Sequence, residues 1–365
     1  MEQGVGLIRK LFSFLFFVFF VLVASISLME VGSRFLFPEW APISSDRNFW
    51  AYDPLLGWSG VPFSKGRMEY LDFDVDVAIS SAGLRDSEYP VARVPGKKRM
   101  LVLGDSFGWG FGVEKDEIWL EQIEIENQDW EVINASVSGY GTDQEYLYYL
   151  TRGRRYKPDV VLLLFYGGND VTNSSSSSQY WHNKPLFVLS DEGGIDLTGV
   201  PVPPLTVTQE VANFVSSHTY FLRMASSLVR ARGAALEGLQ KPSEEGLTKG
   251  SLEKISQGAK GQNLSDNEER VVRLILALRE VVQEDGAQLV VAYTPGKTKI
   301  FEEPRLLDAG LNLFSLADVF NGIQEPVIFE HDSHWNPLGH KIVGEKIHDH
   351  LRRIGVFEDT LVGSP

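Results

Sequence analysis

The longest uncharged run in the chain is Leu11–Met29 (LFSFLFFVFFVLVASISLM), preceded by Arg9 and Lys10 and followed by Glu30. At a rise of about 1.5 Å per residue it predicts a helix of about 28 Å, close to the ~30 Å hydrocarbon core of a bilayer. Basic residues before the run place residues 1–10 in the cytoplasm and everything after Met29 outside it. The other reading is a cleaved signal peptide, with Ser25 and Ser27 near the cut, although such apolar regions ordinarily run only ~7–15 residues. Both readings export the rest of the chain.

Downstream the pattern changes several times. Phe37–Pro62 is rich in Pro, Trp and Gly and predicts an irregular stalk. Phe73–Ile79 alternates apolar and acidic residues at period two, as a half-buried strand does. Strands and helices then alternate. Arg99–Leu103, Glu131–Asn134, Asp159–Phe165 and Ala287–Tyr293 are short apolar runs and predict strands. Asp116–Ile125, a segment from Thr142 or Asp143 as cap to about Thr151, Glu268–Glu284, and Pro337 to about Ile354 predict helices. Non-alternating apolar strands between helices predict a parallel sheet covered on both faces.

After Asn173 the rhythm breaks. Five serines (Ser174–Ser178) and the Pro-rich Val200–Pro204 predict a long excursion, Gln209–Leu239 a helix, and Lys241–Asn267 a mobile, weakly apolar stretch. The expected organisation is therefore an anchor (11–29), a stalk and small β-rich region (30–98), an α/β domain (99–355) with an irregular insertion at about 172–267, and a tail (356–365).

The 365 residues carry 34 Lys plus Arg against 49 Asp plus Glu, a formal net charge of −15, which disfavours nucleic acid as a partner. The absence of cysteine excludes disulfides, thiolate nucleophiles and cysteine-ligated metal. No cofactor is expected, and the irregular spacing of His331, Asp332, His334 and His340 argues against a metal site.

Four loops stand where sites form in such sheets, at strand ends: Gly104-Asp105-Ser106-Phe107, Ser136–Asp143 (SVSGYGTD), Gly167-Gly168-Asn169-Asp170, and Asp332-Ser333-His334-Trp335 before the last helix. A hydroxyl becomes a nucleophile when a base takes its proton, and a carboxylate orients the base. Ser106 suits the nucleophile, His334 the base and Asp332 the orienting acid. The backbone N–H groups of Ser106 and Gly139 and the amide of Asn169 suit an oxyanion hole. Asp105, Asp170 and Asn173 read as turn-fixing residues. Trp109, Phe111, Tyr140 and Trp335 read as packing or as pocket walls, and Tyr146, Tyr148 and Tyr149 as helix packing.

Together these blocks resemble, in order, the four blocks of the SGNH/GDSL hydrolase superfamily, over about Met100 to Ile354. The resemblance implies a three-layer α/β/α sandwich with a parallel, flavodoxin-like sheet. It also implies Ser106 as nucleophile, Gly139 and Asn169 as oxyanion donors and His334 as base. Upstream, Asp53-Pro54-Leu55-Leu56-Gly57-Trp58 and Ser81-Ala82-Gly83-Leu84-Arg85 are similar to membrane-anchored bacterial members. One position departs: the family commonly places Asp three residues before the His, where this chain has His331. Asp332 lies two residues before it, a spacing similar to the alginate O-acetyltransferase branch, with Glu330 a weaker substitute. The implied function is an acyl-ester hydrolase at the periplasmic face of the inner membrane, acting on an ester or acylated sugar. A polysaccharide O-acetyltransferase with a partner membrane acyltransferase is the alternative, and an inactive carbohydrate-binding or assembly protein a second one.

Overall fold

A computed structural model of the chain describes residues 2–38, 41–45, 48–180, 182–190, 194–222, 224, 264–296 and 298–357. The chain divides into two compact units, Met1–Ser44 with Thr206–Leu247, and Ser45–Leu205 with Thr248–Pro365.

In the first unit, helix α1 (Glu2–Leu36) extends the uncharged run at both ends. Its Arg9–Leu36 portion is long and apolar enough to cross a membrane, and none of its most apolar window is buried within the protein. A second helix, Val207–His218, starts two residues earlier than the apolar pattern predicts. Thr206 accepts from the Gln209 backbone N–H while the Gln209 side chain returns to Thr206, a capping box. The helix expected over Gln209–Leu239 is interrupted at Thr219, whose backbone is extended, and it lies outside the described residues at 223 and from 225 onward, as does the stretch expected to be mobile up to residue 263. Of the expected tail, Val356 and Phe357 are described and are buried.

The second unit is built on a five-stranded parallel sheet: β1 (Lys98–Gly104), β2 (Trp130–Asn134), β3 (Val160–Tyr166), β4 (Gln288–Thr294) and β5 (Asn312–Ser315). The order is β5-β4-β3-β1-β2, with every pair parallel. This is the 2-1-3-4-5 order of flavodoxin-like sheets. Alternate residues of the strands face opposite layers, which is why their sequences are apolar throughout. Leu101, Leu103, Ile133, Val161, Leu163 and Leu289 pack with helices α4 (Thr142–Thr151) and α5 (Asp266–Glu284). Met100, Val102, Val132, Leu162, Leu164 and Val290 pack on the other face with α3 (Trp119–Glu126) and α6 (Pro337–Arg353). The unit is thus a three-layer α/β/α sandwich. The strand order reverses beside β1, so the loops leaving β1 and β3 flank the switch point where such sheets bind ligands.

Two local expectations are corrected. Phe37–Pro62 is not irregular throughout, because Trp50–Asp53 and Gly57–Gly60 pair as a hairpin. The Asp53 carboxylate closes it by accepting from the backbone N–H groups of Leu55 (2.9 Å) and Leu56 (3.0 Å) and from Arg152. The start of α4 is capped neither by Thr142 nor by Asp143. Gly141 occupies the cap position without a side-chain bond, and the Asp143 carboxylate is taken by Lys184 and the Gln144 N–H.

Candidate active site

Strand β1 ends at Gly104, and Asp105 caps a four-residue helix, α2 (Ser106–Trp109), by accepting from the Phe107 N–H at 2.9 Å. Ser106 therefore opens a helical turn at the sheet edge. This turn lies so close to the β2 loop that a Cβ at Gly108 would stand 2.2 Å from Ser136 Oγ. The β2 loop is bonded back to β1 through Val137 N–H to Gly104 O (3.0 Å). Gly139 in this loop has φ +83°, and a Cβ there would meet the Tyr180 ring at 2.8 Å, so only glycine fits without strain.

Beyond β3, the Asp170 carboxylate accepts from the Tyr166 N–H (2.7 Å), folding Gly167–Asn169 into a turn. The Asn169 amide donates to Asp105 at 2.9 Å. An amide NH2 has two hydrogens, so this bond fixes the group and leaves the second hydrogen for another acceptor. Asn173 donates to Tyr140 O at 3.2 Å, tying the β3 loop to the β2 loop.

The last block closes the constellation. His334 Nε2 lies 2.7 Å from Ser106 Oγ. Its Nδ1 contacts Asp332 Oδ1, and the same oxygen accepts from the His334 backbone N–H at 2.9 Å. The ring lies between Phe107 and Phe111, at centroid distances of 4.9 and 4.6 Å. His331, at the position where the family places its acid, is turned elsewhere: both its ring Nδ1 and its backbone N–H pair with Asp72, each at 2.8 Å. Hydroxyl, imidazole and carboxylate thus stand in the sequence that lets an imidazole accept a hydroxyl proton while a carboxylate balances the charge. Among the described residues no group of three or more His, Asp or Glu side chains is placed to hold a metal ion.

The upstream segments brace these loops. Arg85 is fully buried and donates to Gly110 O and to Val113 O (2.5 Å), with its guanidinium 4.5 Å from the Trp109 ring centroid. Burial lowers its pKa to about 10, so it stays charged at neutral pH. Trp58 Nε1 donates to Ser138 O (3.1 Å), Tyr140 Oη to Trp58 O (2.5 Å) and Gln144 Nε2 to Leu56 O (2.7 Å). Trp109 and Trp335 are core, at 2% and 3% exposure.

Sequence reasoning missed Lys184. Its ammonium, completely buried, donates to Asp143 (2.5 Å) and to Asn173 O (2.7 Å). It is the cation within a buried group of carboxylates. Burial, joined by the charges of neighbouring carboxylates, pushes Glu145 and Asp170 well above the usual range. Burial also raises Asp143, against the pull of Lys184, and raises Asp105, against the hydrogen bonds of Asn169 and Phe107. Sequence reasoning also missed Tyr180, which has φ +46° and places its ring against Gly139. No local signal marks either residue, since both follow the serine run. Beside Asn169 opens a cleft of about 540 Å³ lined by Gly167, Gly168, Thr172, Glu268 and Thr298 among others.

The sequence model of the GDSL-like lipase/acylhydrolase family matches residues 102–342. Among curated proteins none matches. Solved structures similar to this chain include a lipolytic protein of the G-D-S-L family from Desulfitobacterium hafniense (12% identity, 70% of this chain and 100% of that one, TM-score 0.39). Another is the psychrotrophic esterase EstA from a Pseudoalteromonas species (13%, 71% and 98%, TM-score 0.38). A third is an acetyl xylan esterase (12%, 69% and 98%, TM-score 0.35).

Proposed function

This chain belongs to the GDSL-like lipase/acylhydrolase family, and on that premise we propose that it is a serine-dependent acyl-ester hydrolase, held by α1 at the outer face of the inner membrane and acting on acylated carbohydrate. The observation that carries the reading is the 2.7 Å contact of Ser106 Oγ with His334 Nε2, with Asp332 on the opposite ring nitrogen. His334 takes the Ser106 proton as Oγ attacks the ester carbonyl. The carbonyl oxygen becomes an oxyanion received by the N–H groups of Ser106 and Gly139 and by the side-chain amide of Asn169. When the intermediate collapses, the C–O bond to the alcohol breaks and His334 gives its proton to the leaving oxygen. The acyl-enzyme is then hydrolysed by a water that passes a proton to His334, releasing the acid and restoring Ser106.

The Asp332-x-His334 spacing favours a second reading, in which a sugar hydroxyl replaces water and the protein is a polysaccharide O-acetyltransferase. Incubating the full chain in detergent with p-nitrophenyl acetate, with and without oligosaccharide, separates the readings. Acetate release with no acetylated sugar supports the hydrolase. Acetyl on sugar supports the transferase. Neither product, with no fluorophosphonate labelling of Ser106, removes both in favour of a binding protein.

A further inference from the structure

The helix Val207–His218 collects its apolar residues on one side. Val207, Val211, Phe214 and Val215 recur at helical spacing, while Gln209, Asn213 and Ser217 lie opposite. Among the described residues this side is left open: Val207, Val211 and Phe214 are 75%, 57% and 64% exposed. The residues just after the helix are tied to α1. The backbone N–H groups of Tyr220 and Phe221 donate to the Glu30 carboxylate at 3.2 and 3.0 Å, and the Arg34 guanidinium lies 5.2 Å from the Tyr220 ring centroid. Glu30 is the first charge after the uncharged run Leu11–Met29. The tie therefore falls where a spanning α1 leaves the hydrocarbon, the depth at which aromatic rings line bilayer interfaces.

We propose that Val207–His218 is an interfacial helix whose Val207–Val211–Phe214 stripe lies in the headgroup–acyl boundary of the bilayer that α1 spans. The inference rests on α1 being a membrane anchor. The helix carries Glu210 and no Lys or Arg. Its attachment is therefore by apolar insertion and does not depend on anionic lipid.

The natural chain has no cysteine, so single-cysteine variants of the full chain take one environment-sensitive fluorophore each. The sites are Val211→Cys and Phe214→Cys on the apolar side, Asn213→Cys and Ser217→Cys on the polar side, and Phe19→Cys within α1. The chain is reconstituted in phosphatidylcholine vesicles containing, in separate preparations, a lipid with a nitroxide near its headgroup, which reports the interface, or one with a nitroxide deep in its acyl chain, which reports Phe19. The expected result is at least about twofold quenching at 211 and 214, little at 213 and 217, and no change with anionic lipid or high salt. Quenching at Phe19 with none at 211 and 214 overturns the proposal and leaves the anchor standing. No quenching at Phe19 under any lipid depth removes the anchor reading, and the proposal with it. Quenching at 211 and 214 that requires anionic lipid also overturns insertion of the stripe.

Discussion

Asp332→Ala removes the acceptor of both His334 Nδ1 and the His334 backbone N–H. The two side chains are 14% and 18% exposed, so water screens their interaction only in part. As His334 takes the Ser106 proton it becomes a cation beside this carboxylate, and a hydrogen bond to a charged group contributes about 1.5–3 kcal/mol. At 1.36 kcal/mol per decade that is about one to two orders of magnitude in rate. The assay is kcat/KM for p-nitrophenyl acetate, with thermal unfolding as a check on the fold. Glu330→Ala and His331→Ala serve as comparisons, since the His331 ring is held by Asp72. Both should stay within about threefold of the parent, because neither side chain reaches the His334 ring in the proposed mechanism. In the Ser106→Ala background, Asp332→Ala should cost almost nothing further, as members of one unit are non-additive. An Asp332→Ala variant that keeps kcat/KM within about threefold, or a Glu330→Ala variant that loses more, refutes Asp332 as the orienting acid.

Burial, helped by the nearby charges of Arg85 and His334, pushes the His340 imidazole down to about 3. Between pH 6.5 and 3 the unfolded chain therefore binds a proton that the folded chain does not. Stability falls with pH there by about 1.4 kcal/mol per unit. His340→Leu should gain about 2 kcal/mol relative to the parent between pH 7 and pH 5 in urea unfolding, and a pH-independent difference contradicts this. Lys184→Met leaves Asp143 buried and unpaired among carboxylates, so it should cost about 3–5 kcal/mol. Lys184→Met with Asp143→Leu should recover much of that loss, and equal stability of parent and single variant in urea titration refutes the pairing.

What the sequence discloses follows from how local each signal is. Asp159–Phe165 and Ala287–Tyr293 are readable as strands because central parallel strands are buried on both faces and so apolar throughout. Asn312–Ser315 escapes notice because it is a four-residue edge strand whose residues are only partly buried. The site blocks are legible because each sits on a short loop after a recognisable strand. The residues that hold those loops together are not, because their partners are far away in the chain. Lys184 meets Asp143 41 positions earlier, Arg152 reaches back 99 positions to Asp53, and His331 pairs with Asp72 259 positions away. Asp143 reads as a helix cap by composition, and only the distant lysine reveals why it does not act as one.

The most direct test of the account is covalent: react the folded chain with a fluorophosphonate and locate the adduct by peptide mass spectrometry. One phosphonyl group is expected, on Ser106 Oγ, lost in Ser106→Ala, strongly slowed in His334→Ala and absent after unfolding in urea. A folded protein that takes no label, or takes it on another residue at the same rate when Ser106 is replaced, contradicts the assignment of Ser106 and His334 as nucleophile and base.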